Sequence, residues 1–390
     1  MIPAAKRALQ PTFTRRSFLA LLPAVPYAAR SLAQGQQFAR VYFGTDTAKG
    51  VSKGIYEARF NVTTGELSQP VLAAETVRPS FLAMHPGRGT LYAVNAIPQP
   101  TATVSAFSVG RVSGRLELIS KVSSHGDGPC YVSVHPSGEA AYVANYFGGS
   151  FCSYALGGDG SLSPPVKWLD GNAVGPDAGK APSHIHCATF SPDGDFLLAC
   201  DLGRDRIYIL RPQANHGSFQ MNRQEFVAAR PGSGPRHVAF HPSGRWVYCI
   251  HELDSTIDLY DWRTRGDRAE MSARPDAVVQ TRETPGSKNA AAEVMISADG
   301  RFLYASNRGE DSVVVYGISD RDGTLTLLQR ISSEGNTPRH FTFDPTGRWI
   351  LLGNQDSATV QVFRRDAKTG KLYAPENRIQ LDSVMYTLFD

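Results

Sequence analysis

Apolar and polar positions along this chain alternate in short runs, without the three-to-four spacing of an amphipathic helix. The clearest case is Arg236-His237-Val238-Ala239-Phe240, then Pro242-Ser243-Gly244-Arg245, then Trp246-Val247-Tyr248-Cys249-Ile250. Two runs rich in β-branched and aromatic residues around such a turn predict a β-hairpin. Arg236 and Glu252 stand equally far from Gly244. Antiparallel pairing should therefore bring a guanidinium and a carboxylate together at the open end of the hairpin.

The same template recurs. Its turns are Pro86-Gly87-Arg88, Pro136-Ser137-Gly138, Pro192-Asp193-Gly194, Pro242-Ser243-Gly244, Ala298-Asp299-Gly300 and Pro345-Thr346-Gly347. Each is followed by a second and a third apolar run, as in Phe302-Leu303-Tyr304-Ala305-Ser306 and Ser312-Val313-Val314-Val315-Tyr316. Most units end in a Gly-x-Leu turn, such as Gly114-Arg115-Leu116, Gly160-Ser161-Leu162 or Gly323-Thr324-Leu325. A period of about 50 residues with several short strands per unit predicts an all-β, seven-bladed β-propeller. The seventh blade should combine strands near Val41–Thr45 and Gly54–Phe60 with one from the C-terminus near Met385–Phe389, which closes the ring and removes a sheet edge.

Residues 1–33 read differently. Lys6 and Arg7 precede Thr14-Arg15-Arg16-Ser17-Phe18-Leu19-Ala20, an apolar run follows to about Ala29, and Ser31-Leu32-Ala33 resembles a cleavage site. These parts, in this order, predict a twin-arginine (Tat) export signal read by the Tat machinery, with a periplasmic or secreted product. The apolar run is too short to span a bilayer. Residues 38–390 then form a single propeller domain. The segment carries five basic residues and no acid, so the formal net charge of +4 becomes −1 without it. The basic balance thus gives no reason to expect a nucleic-acid partner. Five cysteines without a Cys-x-x-Cys spacing make neither a disulfide framework nor a zinc site; free, mostly buried thiols are expected.

In a propeller the innermost strand precedes the first turn, so residues at the phase of Arg236 and Glu252 should ring one channel mouth. These positions include Cys130, Tyr146, His186, Arg236, Glu252, Ala292, Arg308 and Arg339, with His184, His237, Asn145, Glu293 and His340 as neighbours. Titratable groups concentrate in the later blades, as a binding or catalytic mouth requires. His184 and His186 could be half of a metal site, but no third ligand stands at a recognisable spacing, and no metal is expected. His85, His135 and His241 share one repeat position and read as structural. There is no Gly-x-Ser-x-Gly elbow, P-loop or dinucleotide-binding fingerprint.

Ser183-His184-Ile185-His186, Gly234-Pro235-Arg236-His237, His251-Glu252-Leu253-Asp254-Ser255, Ser306-Asn307-Arg308-Gly309 and Thr337-Pro338-Arg339-His340 together resemble the seven-bladed lactonase family. That family includes propeller-type 6-phosphogluconolactonases and carboxy-muconate lactonizing enzymes. The resemblance implies a catalytic set of His186, Arg236, Glu252 and Arg308, and the hydrolysis expected of it requires no cofactor. His184, His237, Asn145, Arg339 and His340 are the expected substrate contacts. The chain departs from the family where His251 precedes Glu252 in place of a frequent Asn.

The chemistry expected is hydrolysis of a sugar lactone. Arginines would stabilise the oxyanion, and His186 by its intrinsic pKa, or Glu252, would serve as the base. Two other readings stay open: a lactone-forming isomerase of muconate type, and a non-enzymatic exported propeller that binds a ligand or a protein.

Overall fold

The computed structural model describes residues 37–174, 181–284 and 286–390. The export signal expected at residues 1–33 lies outside them. Seven four-stranded antiparallel sheets surround a common axis. In six of them the chain enters on the innermost strand and steps outward. These innermost strands are Pro79–Met84 (blade 1), Pro129–Val134 (blade 2), Thr189–Phe190 (blade 3), Pro235–Phe240 (blade 4), Ala290–Ile296 (blade 5) and Pro338–Phe343 (blade 6). In blade 7 the C-terminal strand Val384–Phe389 is innermost and pairs with Phe38–Thr45, followed by Gly54–Asn61 and Val71–Glu75. The two-ended closure expected from the repeat count is thus present. Among the described residues the only helical segment is a single 3-10 turn, Ala214–His216.

The turn motifs work between blades as well as within them. The Gly-x-Leu turn at Gly323 has φ 76°, and a Cβ there would lie 2.6 Å from the ring of Trp246 in the previous blade. Only glycine tolerates both. Its carbonyl accepts the hydroxyl of Tyr248, 2.6 Å away. The same bond joins Tyr42 to Gly114, Tyr92 to Gly160 and Tyr304 to Gly370. Between blades 6 and 7, Trp349 Nε1 donates to the carbonyl of Val62. Each such bond contributes about 1 kcal/mol, and leaving the buried hydroxyl unpaired would cost more. The hydrophobic core lies between neighbouring sheets: Tyr248, Ile250 and Leu259 of blade 4 pack on Leu303, Ala305 and Val314 of blade 5.

Pairing runs one residue off equal distance from the turn glycine along the hairpin, as in Phe240 with Val247, and two off at the mouth, where a β-bulge recurs. Pro235 pairs with His251, but His237 pairs with Ile250, so Arg236 is an extra residue. Ser80, Cys130 and Arg339 are extra in the same way in blades 1, 2 and 6, and blade 5 shifts register between Ala291 and Val294. A bulge re-aims side chains. Here it places two consecutive residues per blade at the axis, one facing the mouth and the next forming the layer beneath.

Candidate active site

At the mouth, Glu252 sits between two arginines. Its Oε2 accepts from Arg236 Nε at 3.0 Å and from Arg308 Nη2 at 2.7 Å. Arg236 Nη1 also donates to the carbonyl of Ala292, and Arg308 donates through Nε and Nη2 to the carbonyls of Ala290 and Ala291. Both guanidiniums are therefore held by the edge of blade 5. Glu252 Oε1, Arg236 Nη2 and Arg308 Nη1 have no hydrogen-bond partner among the described residues. Burial pulls the Glu252 carboxyl up, but Arg308 and Arg236 outweigh it and hold it below the ordinary carboxylate range. The site thus contains an ionised carboxylate with one oxygen clamped and one available.

Arg339, half-buried on the innermost strand of blade 6, makes no hydrogen bond or ion pair with any described residue. Burial, then the positive charges of Arg236 and Arg308, lower its pKa to about 9. Three guanidiniums against one carboxylate leave the mouth strongly cationic and able to hold an anion.

His186 precedes the short innermost strand of blade 3 and is 6% exposed. Its ring lies 5.1 Å from that of His237 and 5.4 Å from that of Tyr146. Burial, then the cations Arg236, Arg339 and Arg308 with His237, push its pKa well below the usual imidazole value. Its Nδ1 is buried without a hydrogen-bond partner among the described residues. The role of His186 therefore turns on where its single ring proton sits. A base acting through Nε2 would carry its proton on Nδ1, where a buried N–H would go unsatisfied. Placing the proton on Nε2 instead makes His186 a hydrogen-bond donor toward the mouth.

The other expected contacts divide. His184 stacks on Tyr146 at 4.7 Å, its Nδ1 3.0 Å from the Tyr146 carbonyl, and borders the mouth. His237 and His340 lie one layer deeper, nearly buried. Asn145 is fully buried, and its amide donates to the carbonyl of Ser124 and to Ser150 Oγ. Asn95, Asn307 and Asn354 make equivalent bonds to their own loops. Asn145 is thus a loop pin, not a group brought to the mouth. His251, at the same strand end, fills the equivalent place with Nε2 3.3 Å from Asp258 Oδ2, which accounts for the departure from Asn there.

Below the mouth the axis is closed. Phe81 lies 3.9 Å from both Tyr131 and Tyr386, and Tyr386 lies 3.8 Å from His340. His237 Nδ1 is 3.2 Å from Glu293, and His340 Nε2 is 3.6 Å from the same carboxylate. These floor residues occupy the repeat position next to Arg236, so the phase that located the mouth could also have located them. Cys130 lies beside the arginines, but burial raises its pKa to about 12, which removes it as a thiolate nucleophile. All five cysteines are free, and no cluster of metal-ligating side chains occurs among the described residues.

Comparison with known proteins bears on the fold and the family. Residues 40–389 match the family described as lactonase, 7-bladed beta-propeller. A 6-phosphogluconolactonase of Bacillus subtilis is 33% identical over 85% of this chain and 92% of its own length. One from Formosa agariphila is 31% identical over 85% and 94%. The solved structure of the periplasmic gluconolactonase of Pseudomonas aeruginosa superposes with a TM-score of 0.82 at 31% identity, covering 90% of this chain and 99% of that one. With the seven-bladed propeller and the match along nearly the whole described chain in agreement, this protein belongs to the seven-bladed β-propeller lactonase family.

Proposed function

We propose that the protein hydrolyses a sugar lactone, with Glu252 as the general base. The observation that carries this reading is the Glu252 carboxylate, clamped through Oε2 by Arg236 and Arg308 while Oε1 has no hydrogen-bond partner among the described residues. A water held at Oε1 gives up a proton to the carboxylate as its oxygen attacks the lactone carbonyl. The unused N–H groups of Arg236 and Arg308 stabilise the oxyanion. The ring C–O bond then breaks, and the leaving alkoxide takes the proton back from Glu252. The product acid ionises to an aldonate. His186 donates from Nε2 to a substrate oxygen. The closed floor makes the mouth a one-sided pocket, which suits a small ring.

Arg339 supplies a cation for a phosphate or carboxylate on the substrate. The similarity to 6-phosphogluconolactonases favours a phosphorylated lactone. The twin-arginine segment and the similarity to a periplasmic gluconolactonase favour an exported enzyme acting on the unphosphorylated one. Purified protein should open gluconolactone, its 6-phosphate or another aldonolactone well above the spontaneous rate. Arg236→Ala should lower that rate by about 10²–10³-fold. No rate above background with the fold intact, or full activity in Arg236→Ala, would overturn the proposal. Export is tested by following the full chain in cells with and without Arg15 and Arg16 changed to Lys.

A further inference from the structure

The floor contains a charge that the reaction above does not use. Glu293 is 6% exposed and lies under the mouth in the register shift of blade 5. Its Oε1 accepts from the Val294 amide at 3.1 Å and faces His237 Nδ1 at 3.2 Å. Its own amide is held by Ser306 Oγ at 3.2 Å. The preceding residue, Ala292, gives its carbonyl to Arg236 Nη1. Two neighbours on blade 5, Ala292 and Glu293, therefore hold two neighbours on blade 4, Arg236 and His237.

The hydrogen bonds also settle tautomers. A carboxylate only accepts, so His237 must carry a proton on Nδ1. Burial lowers its pKa more than Glu293 raises it, which leaves the ring neutral with a lone pair on Nε2. Arg236 Nη1 lies 3.3 Å from that Nε2 and 3.4 Å from Nδ1, against the ring. A charged His237 would instead set a second cation against the guanidinium that lies over its ring. His340 is fixed independently: the Thr387 amide donates to its Nδ1 at 3.2 Å, which turns Nε2–H toward Glu293.

We propose that Glu293 is a positioning residue of the lactonase site, acting through His237 to hold Arg236 in register with Glu252. Elsewhere in the floor this position is Phe81, Tyr131 or Tyr386, so packing alone needs no carboxylate there. The inference rests on the lactone-opening reading only for its kinetic test.

The experiment is a double-mutant cycle between Glu293→Gln and His237→Phe, the latter mimicking the aromatic floor positions. Kinetics are measured on the most active lactone and folding by thermal melting. Glu293→Gln should lower kcat about 10-fold with KM changed less than about 3-fold, and should have no further effect when His237 is already Phe. Multiplicative effects, or unchanged kcat in Glu293→Gln, would overturn the proposal. So would losses of kcat that simply follow losses of melting temperature.

A second measurement needs no activity. Imidazole ¹⁵N NMR of the wild-type protein at neutral pH should show His237 neutral and protonated on Nδ1. A charged ring, or a proton on Nε2, would overturn the assignment. A wild-type protein without lactonase activity would sink the functional reading and leave this NMR test standing.

Discussion

The floor of the channel is built in two halves from one repeated position. On the side of blades 7, 1 and 2 it is Tyr386, Phe81 and Tyr131, tilted rings 3.9 Å apart. On the side of blades 4, 5 and 6 it is His237, Glu293 and His340, joined through one carboxylate. The aromatic half is packed ring on ring, with the Tyr131 hydroxyl 3.3 Å from Thr189 Oγ1. The ionisable half is stable only because each member satisfies another, since a buried charge without a partner costs several kcal/mol. The mouth follows the same division. Arg236, Glu252, Arg308 and Arg339 come from blades 4 to 6, whereas blades 1 and 2 offer Ser80 and Cys130 at the bulge. Identical scaffolding thus separates a packing side from a chemical side.

The largest predicted break in substrate recognition is at the cation without a hydrogen-bond partner among the described residues. Arg339→Met should raise KM for a phosphorylated lactone by about 10–100-fold, because a charge-assisted contact is lost. KM for the neutral lactone should move less than about 3-fold. Equal changes for both substrates would remove Arg339 as the anion contact.

His186 comes next. If it donates from Nε2, His186→Ala should lower kcat about 30-fold, and His186→Gln, which keeps an N–H, should recover most of that. If His186 is the base, Gln should be no better than Ala.

A pH test separates the halves through stability. Burial lowers the His340 pKa from 6.5 to about 4. Between those values the unfolded chain binds the proton and the folded one does not, so stability rises with pH and is lost as pH falls from 6.5 toward 4. Melting curves across that window should show this slope, and His340→Phe, which extends the aromatic half, should flatten it. An unchanged slope would show that His340 is not the group responsible.

The smallest effect belongs to the aromatic side. Phe81→Leu should cost about 1–1.5 kcal/mol by denaturant melts and leave kcat within about 2-fold. A large kcat loss there would mean that the division is false.

Much of this was legible before any coordinates. The Pro-x-Gly and Gly-x-Leu turns carry the blade count and the closure, because each demands a backbone shape that few residues provide. The phase of Arg236 around Gly244 led to His186, Glu252, Arg308 and Arg339, because a repeat converts sequence distance into angular position. The bulge was not legible, since it changes pairing without changing the apolar pattern. Hence Glu293 read only as a neighbour, and Asn145 as a contact when it pins a loop. The choice between His186 and Glu252 as proposed base also required the fold: intrinsic pKa favours the imidazole, and only the buried Nδ1 of His186 and the doubly clamped Oε2 of Glu252 turn the proposal toward the carboxylate.

The most direct test of the account is the rate of lactone opening by Glu252→Gln, an isosteric change that keeps an oxygen toward the arginines and removes the base. The prediction is a loss of about 10²–10⁴-fold in kcat, with the melting temperature within a few degrees of wild type. A folded Glu252→Gln protein that opens the lactone at the wild-type rate would contradict it.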